Sequence, residues 1–387
     1  MSNIQKAKLG NYIKINQSTY SPKENWEFVN YLDTGNITKN KVDEIQYINT
    51  ASDKLPSRAR RKVKKDSIVY STVRPNQHHY GIINKQPENF LVSTGFAVIE
   101  VDSSVANPKY IYYFLTQREI VEQLQALAEQ SVSAYPSIKP SDIENLEIAL
   151  PNKETQEKVV SILSVLDEKI VQNTEINNNL EQQAHTLYRQ MFLRNPSPTW
   201  SKGTLSDIAI ITMGQSPNGS SYNEDGNGTV FFQGRAEFGF RFPTIRLFTT
   251  EPKRMALSND TLMSVRAPVG DLNIAYSDCC IGRGLAAIRS KFKHPSFVFY
   301  TMHSLRKKLE VFNGEGTVFG SINRDSLKNM PVIIPSNIII DKFEKIVAPM
   351  DETIRNNYME ISKLQGIRDV ILPRLMTGNV DVSKIKI

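Results

Sequence analysis

Hydrophobic residues recur at alternating steps of four and three positions in two long stretches of the chain. The steps begin at Val159 in the first stretch and at Phe343 in the second. Eight of the ten positions in the first stretch are apolar, so they form an almost continuous apolar stripe. A 3.5-residue repeat keeps such a stripe facing a partner helix. We call these positions the seam, and its main members are Leu163, Leu166, Ile170, Asn173, Leu180 and Leu187, then Val347, Met350, Ile354, Asn357, Ile361 and Leu364.

The seam predicts two long helices that pack along each other. At 1.5 Å per residue each helix would span roughly 60 Å, more than a compact domain of the size that precedes it, which favours a spacer. The alternative is two ordinary amphipathic helices, each buried in its own domain. Asn173 and Asn357 occupy the same register and are candidates to pair across the seam. Pro349 and Pro373 predict that the second helix starts late or bends.

The chain also repeats itself as a whole. Asp167 and Asp351 lie 184 residues apart, as do Asn173 and Asn357, and residues 138–151 match residues 322–335 at the same offset. This pattern indicates an internal duplication of a globular domain followed by a helix. The predicted fold class is therefore α+β, with two tandem mixed α/β domains. The predicted boundaries are 1–150 for the first domain, 151–195 for the first helix, 196–335 for the second domain and 336–380 for the second helix.

Length and composition limit the class of protein. A chain of 387 residues with 40% hydrophobic content can form two or three domains with real cores. The longest apolar run is too short to cross a bilayer, and residues 1–10 show no apolar targeting segment, so a cytoplasmic location is expected. The two cysteines, Cys279 and Cys280, are neighbours, which excludes a disulfide framework and a spaced zinc site.

The net charge of +7 lies entirely in the second half of the chain, since the first 193 residues contain 22 basic and 22 acidic side chains. Binding to a polyanion is consistent with this charge but not required by it. Within the first half, the densest basic run falls between positions 54 and 65. It predicts either a loop that follows DNA phosphates or a solvated charged face. Its members are Lys54, Arg58, Arg60, Arg61, Lys62, Lys64 and Lys65, and all but Lys65 are predicted DNA-binding residues.

Candidate base-reading side chains lie in a loop of the first domain. Residues 67–73 and 90–101 are predicted to form a strand pair, joined through Arg74, Asn76 and Gln77. Arginine suits guanine, and asparagine or glutamine suits adenine. A helix is predicted over 110–127, with its tyrosines in the core. The second domain instead carries a Gly, Ser and Asn loop over 213–228 and a dispersed arginine series, which fits two related sites with different specificities.

A search for catalytic motifs finds none that is complete. No phosphate-cradling loop of the Walker type occurs, and the Gly-rich run at 282–287 lies between strand-like segments instead of opening a helix. Asp167 and Glu168 lack the upstream carboxylate that a nuclease metal site needs. The histidines at 185, 294 and 303 are isolated from any nucleophile. We therefore expect no catalytic residues and no bound metal or cofactor.

Several motifs together resemble the specificity (S) subunit of type I restriction-modification systems. They are Met213-Gly-Gln-Ser-Pro217, Phe231-Phe-Gln-Gly-Arg-Ala-Glu-Phe-Gly239, Ser264-Val-Arg-Ala-Pro-Val-Gly-Asp271, Cys279-Cys-Ile-Gly-Arg-Gly-Leu285 and, in the first half, Tyr70-Ser-Thr-Val-Arg-Pro75. The resemblance covers essentially the whole chain. It implies a non-catalytic subunit in which each globular domain is a target recognition domain for one half of a bipartite DNA sequence. The two helices would then form an antiparallel coiled coil that sets the spacing.

The resemblance also implies partners. Two modification methyltransferase subunits would dock on the helices and carry S-adenosylmethionine, and restriction subunits would supply ATP- and Mg-dependent translocase and nuclease activity. Predicted DNA-binding residues, besides those of the first domain, are Gln215, Ser216, Gln233, Arg235, Arg241, Arg246, Arg266 and Arg283. Two alternatives stay open. One is an enzyme that acts on DNA alone, and the other is a coiled-coil scaffold for protein partners without specific DNA binding.

Overall fold

A computed structural model describes residues 6–131, 135–194, 196–314 and 320–382. These residues form a mixed α/β structure of two compact units. Unit 1 is drawn from Met1–Ile170 and Ser362–Ile387, and unit 2 from Val171–Ile361. Each unit therefore combines a globular part with a segment of each long helix. Position 195, at the end of the first predicted helix, lies outside the described residues.

Unit 1 contains two four-stranded sheets, with orders β6-β3-β10-β7 and β2-β11-β8-β9, and two short strand pairs, β1-β12 and β4-β5. Strands β3 and β10 run parallel, and the other pairs are antiparallel. The strands are β1 Lys6–Lys8, β2 Ile13–Ile15, β3 Phe28–Leu32, β4 Ile37–Thr38, β5 Lys41–Val42, β6 Gln46–Asn49, β7 Ala59–Lys62, β8 Ile68–Ser71, β9 Tyr80–Ile82, β10 Phe90–Ser93, β11 Phe96–Val101 and β12 Glu147–Ala149. The helices are α1 Pro108–Leu115, α2 Arg118–Glu129, α3 Pro140–Glu144 and the long α4 Lys153–Tyr188.

The strand prediction in unit 1 is partly confirmed. Phe96 pairs with Ser71, so β11 and β8 form the expected antiparallel pair. However, the predicted strand over 90–101 is two strands in different sheets. The loop that carries Arg74 connects β8 to β9, a strand that the sequence analysis did not identify. The polar loop is therefore the tip of a shorter hairpin than predicted.

Helix α1 begins as expected, because the Asn107 side chain accepts a hydrogen bond from the Lys109 amide and Pro108 occupies the first helical position. The single helix predicted over 110–127 is wrong. Gln117 adopts an extended conformation, with φ −61° and ψ 143°, and separates α1 from α2. Tyr110 and Tyr113 are buried in the core of unit 1, as predicted.

Unit 2 has a four-stranded sheet of order β14-β22-β19-β20, a five-stranded sheet of order β15-β17-β16-β21-β18 and the pair β13-β23. The strands are β13 Ser201–Thr204, β14 Ala209–Met213, β15 Tyr222–Asn223, β16 Thr229–Phe232, β17 Leu247–Thr249, β18 Met255–Ala256, β19 Thr261–Ser264, β20 Leu272–Ile274, β21 Cys279–Ile281, β22 Leu285–Ser290 and β23 Pro331–Ile334. The helices are α5 Leu205–Ile208, α6 Pro295–Ser304, α7 Arg306–Leu309, α8 Arg324–Lys328 and α9 Asn337–Met376, and a π-helical turn, Arg189–Arg194, follows α4.

The duplication seen in the sequence is reproduced in the structure. In unit 1 the amide of Thr72 donates to the carbonyl of Gly95 at 2.9 Å, and in unit 2 the amide of Val265 donates to that of Gly284 at 2.9 Å. The parallel pair β3-β10 corresponds to the parallel pair β16-β21. Each unit therefore presents equivalent loops at the ends of equivalent strands.

The two long helices contact each other within both units. In unit 1 the Arg368 guanidinium donates to Asp167 at 3.0 Å. In unit 2 the Asn173 side-chain amide donates to Glu360 and that of Asn357 donates to Asn177, both at 2.8 Å. The residue numbers rise along α4 as they fall along α9, so the helix segments of unit 2 run antiparallel. The two asparagines thus each take another partner instead of pairing with each other as predicted.

The seam prediction agrees with burial, because every seam position is buried or half-buried. Val159 and Leu163 join the core of unit 1 with Leu372 and Leu375, while Val347 and Ile354 lie in the core of unit 2. The prolines do not delay α9, which begins at Asn337 and continues past both of them. The carbonyls of Pro349 and Pro373 accept hydrogen bonds from threonine hydroxyls four residues later, at 2.9 and 2.8 Å.

Candidate nucleic-acid interface

Unit 2 contains an open cavity of about 240 Å³ that collects many of the predicted side chains. It is formed where β14, β16, β19 and β21 end and their loops meet. The residues that line it are Ser216, Gln233, Gly234, Arg235, Ser264, Arg266, Ala267, Arg283 and Gly284. Of the predicted DNA-binding residues in this unit, only Gln215, Arg241 and Arg246 are outside that lining.

Glycines allow the cavity loops to approach closely. A Cβ on Gly214 would lie 2.1 Å from the carbonyl oxygen of Gly282, and one on Gly284 would lie 2.9 Å from that of Gln233. The amide of Gly282 also donates to the carbonyl of Phe232 at 2.8 Å. Backbone contacts therefore fix the loops, and larger residues at these glycines would force them apart.

The cavity is positively charged at its mouth. Arg235 pairs with Asp271, which also lies 3.5 Å from Arg306. The positive charge of Arg235 is therefore partly neutralised. Arg266 and Arg283 are exposed, and neither forms an ion pair with any other residue that the structure describes. The Arg283 amide donates to the Ser216 hydroxyl at 3.2 Å, which holds the backbone beside the cavity while its side chain extends from the loop.

These groups have the chemistry of base or phosphate recognition. A guanidinium can donate two hydrogen bonds to guanine O6 and N7, or to two phosphate oxygens. The exposed Gln233 carries an amide that suits adenine. The cavity thus offers both kinds of contact within a few residues.

Arg241 is a correction to the predicted set. Its side chain is only 2% exposed, so its guanidinium cannot reach DNA in this structure. It donates to the Tyr300 hydroxyl at 2.9 Å and lies 3.4 Å from Glu181 and 3.5 Å from Asp351. Burial raises the pKa of both carboxyl groups despite the opposing effect of Arg241. Arg246 is exposed and pairs with Glu237 at 3.0 Å.

The basic run of unit 1 surrounds the edge strand β7. Lys62 pairs with Glu24 and lies 5.1 Å from the centre of the Trp26 ring, and Lys64 pairs with Glu100. Arg60 and Arg61 are half-buried, and Arg61 contacts the Thr19 hydroxyl at 3.4 Å. The exposed members of the run are Lys54, Arg58, Lys64 and Lys65. The run is therefore a partly neutralised strand and its flanks, not the loop that was predicted.

The hairpin tip of unit 1 presents its polar side chains to solvent. Arg74, Asn76 and Gln77 are exposed, and Arg74 adopts a left-handed conformation with φ 48°. Its guanidinium lies 5.3 Å from the centre of the Tyr135 ring. The backbone amide of Asn76 donates to the side-chain oxygen of Gln125 at 3.2 Å. These contacts hold the tip against Tyr135 and Gln125.

Three residues shape these sites although they were not among the predicted DNA-binding residues: Ser264, Asp271 and Asp33. Asp33 follows β3 as Gln233 follows β16. It accepts hydrogen bonds from the Tyr31 hydroxyl at 3.0 Å and the Thr34 amide at 2.9 Å. Burial alone would raise the pKa of Asp33, but hydrogen bonds from Thr34, Ser93 and Tyr31 outweigh it and lower the pKa. The position after the equivalent strand could have indicated Asp33.

Within the described ranges, no cluster of three or more histidine, cysteine or acidic side chains is arranged to hold a metal ion. None of the helices described is both long enough and apolar enough to span a bilayer. Arginine, lysine and amide side chains are instead exposed on the loops of the two duplicated units. Such side chains on exposed loops are typical of nucleic-acid-recognition proteins.

Comparisons with known proteins identify the family. The model of the type I restriction modification DNA specificity domain matches residues 1–182 and 198–365. The chain is 27% identical to a specificity subunit assigned to the type I restriction enzyme MjaX of Methanocaldococcus jannaschii, covering 97% of this chain and 93% of the relative. It is 25% identical to the type I restriction enzyme HindI specificity subunit of Haemophilus influenzae, covering 90% and 94%.

A solved structure supports the fold. The type I restriction-modification S subunit from M. genitalium superimposes with a TM-score of 0.61 at 18% identity, covering 97% of each chain. Because the family model matches most of the sequence, the chain belongs to the type I restriction modification DNA specificity family. The resemblance predicted from the motifs is thereby confirmed.

Proposed function

We propose that this chain is the sequence-specific DNA-recognition subunit of a type I restriction-modification complex and is itself non-catalytic. The observation that carries the proposal is the cavity of unit 2, which Gln233, Arg266 and Arg283 line together. The chain that forms this cavity belongs to the DNA specificity family. Their exposed side chains supply donors and acceptors for base edges and phosphates.

Each globular part would be a target recognition domain for one half of a bipartite sequence, with the domain boundaries at 1–150 and 196–335. The cavity positions differ between the units, since Asp33 in unit 1 stands where Gln233 stands in unit 2. A carboxylate accepts a hydrogen bond from cytosine N4, whereas a glutamine amide suits adenine. The two half-sites should therefore differ in sequence.

The two long helices would form an antiparallel coiled coil that spaces the recognition domains. Support comes from the buried or half-buried seam positions and from the antiparallel contacts within unit 2. The outer helix faces would dock two modification subunits, which bring S-adenosylmethionine. Restriction subunits would add the ATP- and Mg-dependent activities, and the complex would act on DNA in the cytoplasm.

The test is to purify the chain with its modification subunits and to map methylated positions in a plasmid library of random sequence. The proposal predicts one bipartite target with a fixed gap. Methylation without sequence preference, or no association with modification subunits, would contradict it. Incubating the isolated chain with DNA and Mg²⁺ separates this function from that of an independent enzyme, because the proposal predicts no turnover.

A further inference from the structure

Arg241 lies in the loop of residues 233–246, which we call the recognition loop, and contacts both long helices within unit 2. Its guanidinium lies against Glu181 of α4, Asp351 of α9 and the Tyr300 hydroxyl of α6. It also stacks over the Phe299 ring, 4.4 Å from the ring centre. The Tyr300 hydroxyl donates to Asp351 at 3.2 Å, so tyrosine, aspartate and arginine form one buried triad.

Unit 1 contains the same triad with a different source of arginine. The Tyr113 hydroxyl donates to Asp167 at 2.7 Å, and Arg368 donates to the other oxygen of Asp167 at 3.0 Å. Asp167 and Asp351 are duplicated positions, and Tyr113 and Tyr300 each occupy the sixth position of their helix. The arginine of unit 1, however, belongs to the seam of α9 itself.

The 184-residue offset shows why the arginine has a different origin. The position that corresponds to Arg368 in unit 2 is Ala184, a fully buried seam residue that carries no charge. Asp351 is therefore not matched by a cation from the helix pair at that position. The missing charge is supplied by Arg241, which lies six residues after Arg235 of the cavity.

The loop between these two arginines is short and well anchored. The Arg235–Glu237 turn is followed by Gly239, whose amide and carbonyl both bond to the Asn273 side chain, at 3.1 and 3.0 Å. The carbonyl of Arg241 then accepts from the Ile274 amide at 2.8 Å. The backbone of Arg241 is therefore fixed to β20, while its guanidinium contacts the two long helices.

We propose that Arg241 is a positioning residue that tethers the recognition loop 233–246 to the two long helices, so that target reading by unit 2 depends on the helix pair and reading by unit 1 does not. The inference rests on the proposed DNA-recognition function. It assigns no DNA contact to Arg241 itself. The asymmetry follows because the triad of unit 1 is completed by a helix residue and attaches no recognition loop.

The experiment removes each triad without leaving buried charges. In unit 2 the variant is Arg241→Met with Glu181→Gln and Asp351→Asn, and the matched control in unit 1 is Arg368→Met with Asp167→Asn. Both are purified with the modification subunits. Methylation rates are measured on the target and on duplexes with single-base changes in either half-site, which gives a discrimination ratio for each half.

The tether predicts that the unit 2 variant loses at least ten-fold discrimination in one half-site and keeps the other. The unit 1 control should keep both. Unchanged discrimination in a folded unit 2 variant would overturn the proposal, and so would equal losses in both variants, because a general stability effect would then suffice. Circular dichroism and co-purification establish folding before the ratios are compared.

A second variant keeps the test decisive if the first does not fold. Arg241→Met combined with Ala184→Arg moves the cation to the seam, as in unit 1, and restores the charge balance without the tether. Recovery of stability with continued loss of discrimination supports the tether, whereas recovery of both overturns it. A wild-type complex with no bipartite target would instead contradict the proposed function, before any variant is considered.

Discussion

Truncation of one seam residue tests the helix packing with a control two positions away. Leu163 is fully buried in the core of unit 1, beside Leu372 and Leu375, whereas Val165 on the same helix is 63% exposed. We predict that Leu163→Ala destabilises the chain strongly and that Val165→Ala does not. The comparison keeps the helix, the type of change and the method constant.

The magnitudes follow from burial. A fully buried leucine truncated to alanine costs about 2–5 kcal/mol, through lost apolar burial and the cavity that remains. For a unit of this size, about 3 kcal/mol lowers the melting temperature by roughly 6–12 °C. An exposed valine replaced by alanine should change stability by less than about 0.5 kcal/mol, because alanine also has the higher helix propensity.

The assay is thermal unfolding followed by circular dichroism or calorimetry on both variants and the wild type. A large shift for Leu163→Ala alone supports the predicted register. If Val165→Ala shifted the transition as much as Leu163→Ala, the reasoning would be refuted, since the buried stripe would then lie elsewhere on the helix. The same pair can be repeated on the second helix with Val347, which is fully buried, and Ile346, which is 46% exposed.

Three further predictions concern DNA binding, pH and spacing. DNA affinity of the complex should fall steeply between low and physiological salt in an anisotropy titration, because the exposed cations displace counterions; a flat titration would contradict this. Burial lowers the pKa of His185 to about 4, below its value of about 6.5 when unfolded. Unfolding free energy should therefore decrease as pH falls from about 7 towards 4, and His185→Gln should weaken that dependence; an unchanged slope would be inconsistent with it. Adding one heptad to both long helices extends them by about 10 Å, or roughly three base pairs, so methylation across a library of gaps should show a longer preferred gap or lost bipartite recognition.

The seam and the duplication could be predicted because both are periodic in sequence. The 3.5-residue repeat alone predicts that every seam position is at least half-buried, as observed. The hydrogen-bond partners of the seam asparagines did not follow, since the stagger between antiparallel helices depends on the surrounding packing. Asn173 therefore contacts Glu360, three residues beyond the position expected from matching registers.

The candidate site was predicted in part. Arg266 and Arg283 converge on a cavity because they follow β19 and β21, two strands that end beside it. Arg241 was grouped with them as a member of the dispersed arginine series. Its burial depends on Tyr300 and Asp351, which are remote in sequence. The difference between Arg368 and Ala184 at duplicated positions was visible in the sequence and could have indicated a missing cation.

The break between α1 and α2 was not predictable from hydrophobic spacing, which continues across it. Thr116 is the C-cap of the first helix, and Gln117, with an extended backbone, is the N-cap of the next. Similarly, the basic run looked like one loop, but Ala59–Lys62 is a strand in which Lys62 pairs with Glu24, and Lys64 beyond its end pairs with Glu100. Charge density alone does not distinguish a loop from a sheet edge.

The most direct test of separate recognition by the two units is base discrimination after substitution in one unit at a time. Arg283→Ala alters the cavity of unit 2, and Arg74→Ala alters the hairpin tip of unit 1. With the modification subunits present, each variant should reduce base discrimination by about 10- to 100-fold at positions within one half-site. The affected half-site should differ between the two variants. This magnitude corresponds to the loss of one bidentate base contact, about 1–3 kcal/mol. Relaxation of both half-sites by either variant, or of the same half-site by both, would contradict the account.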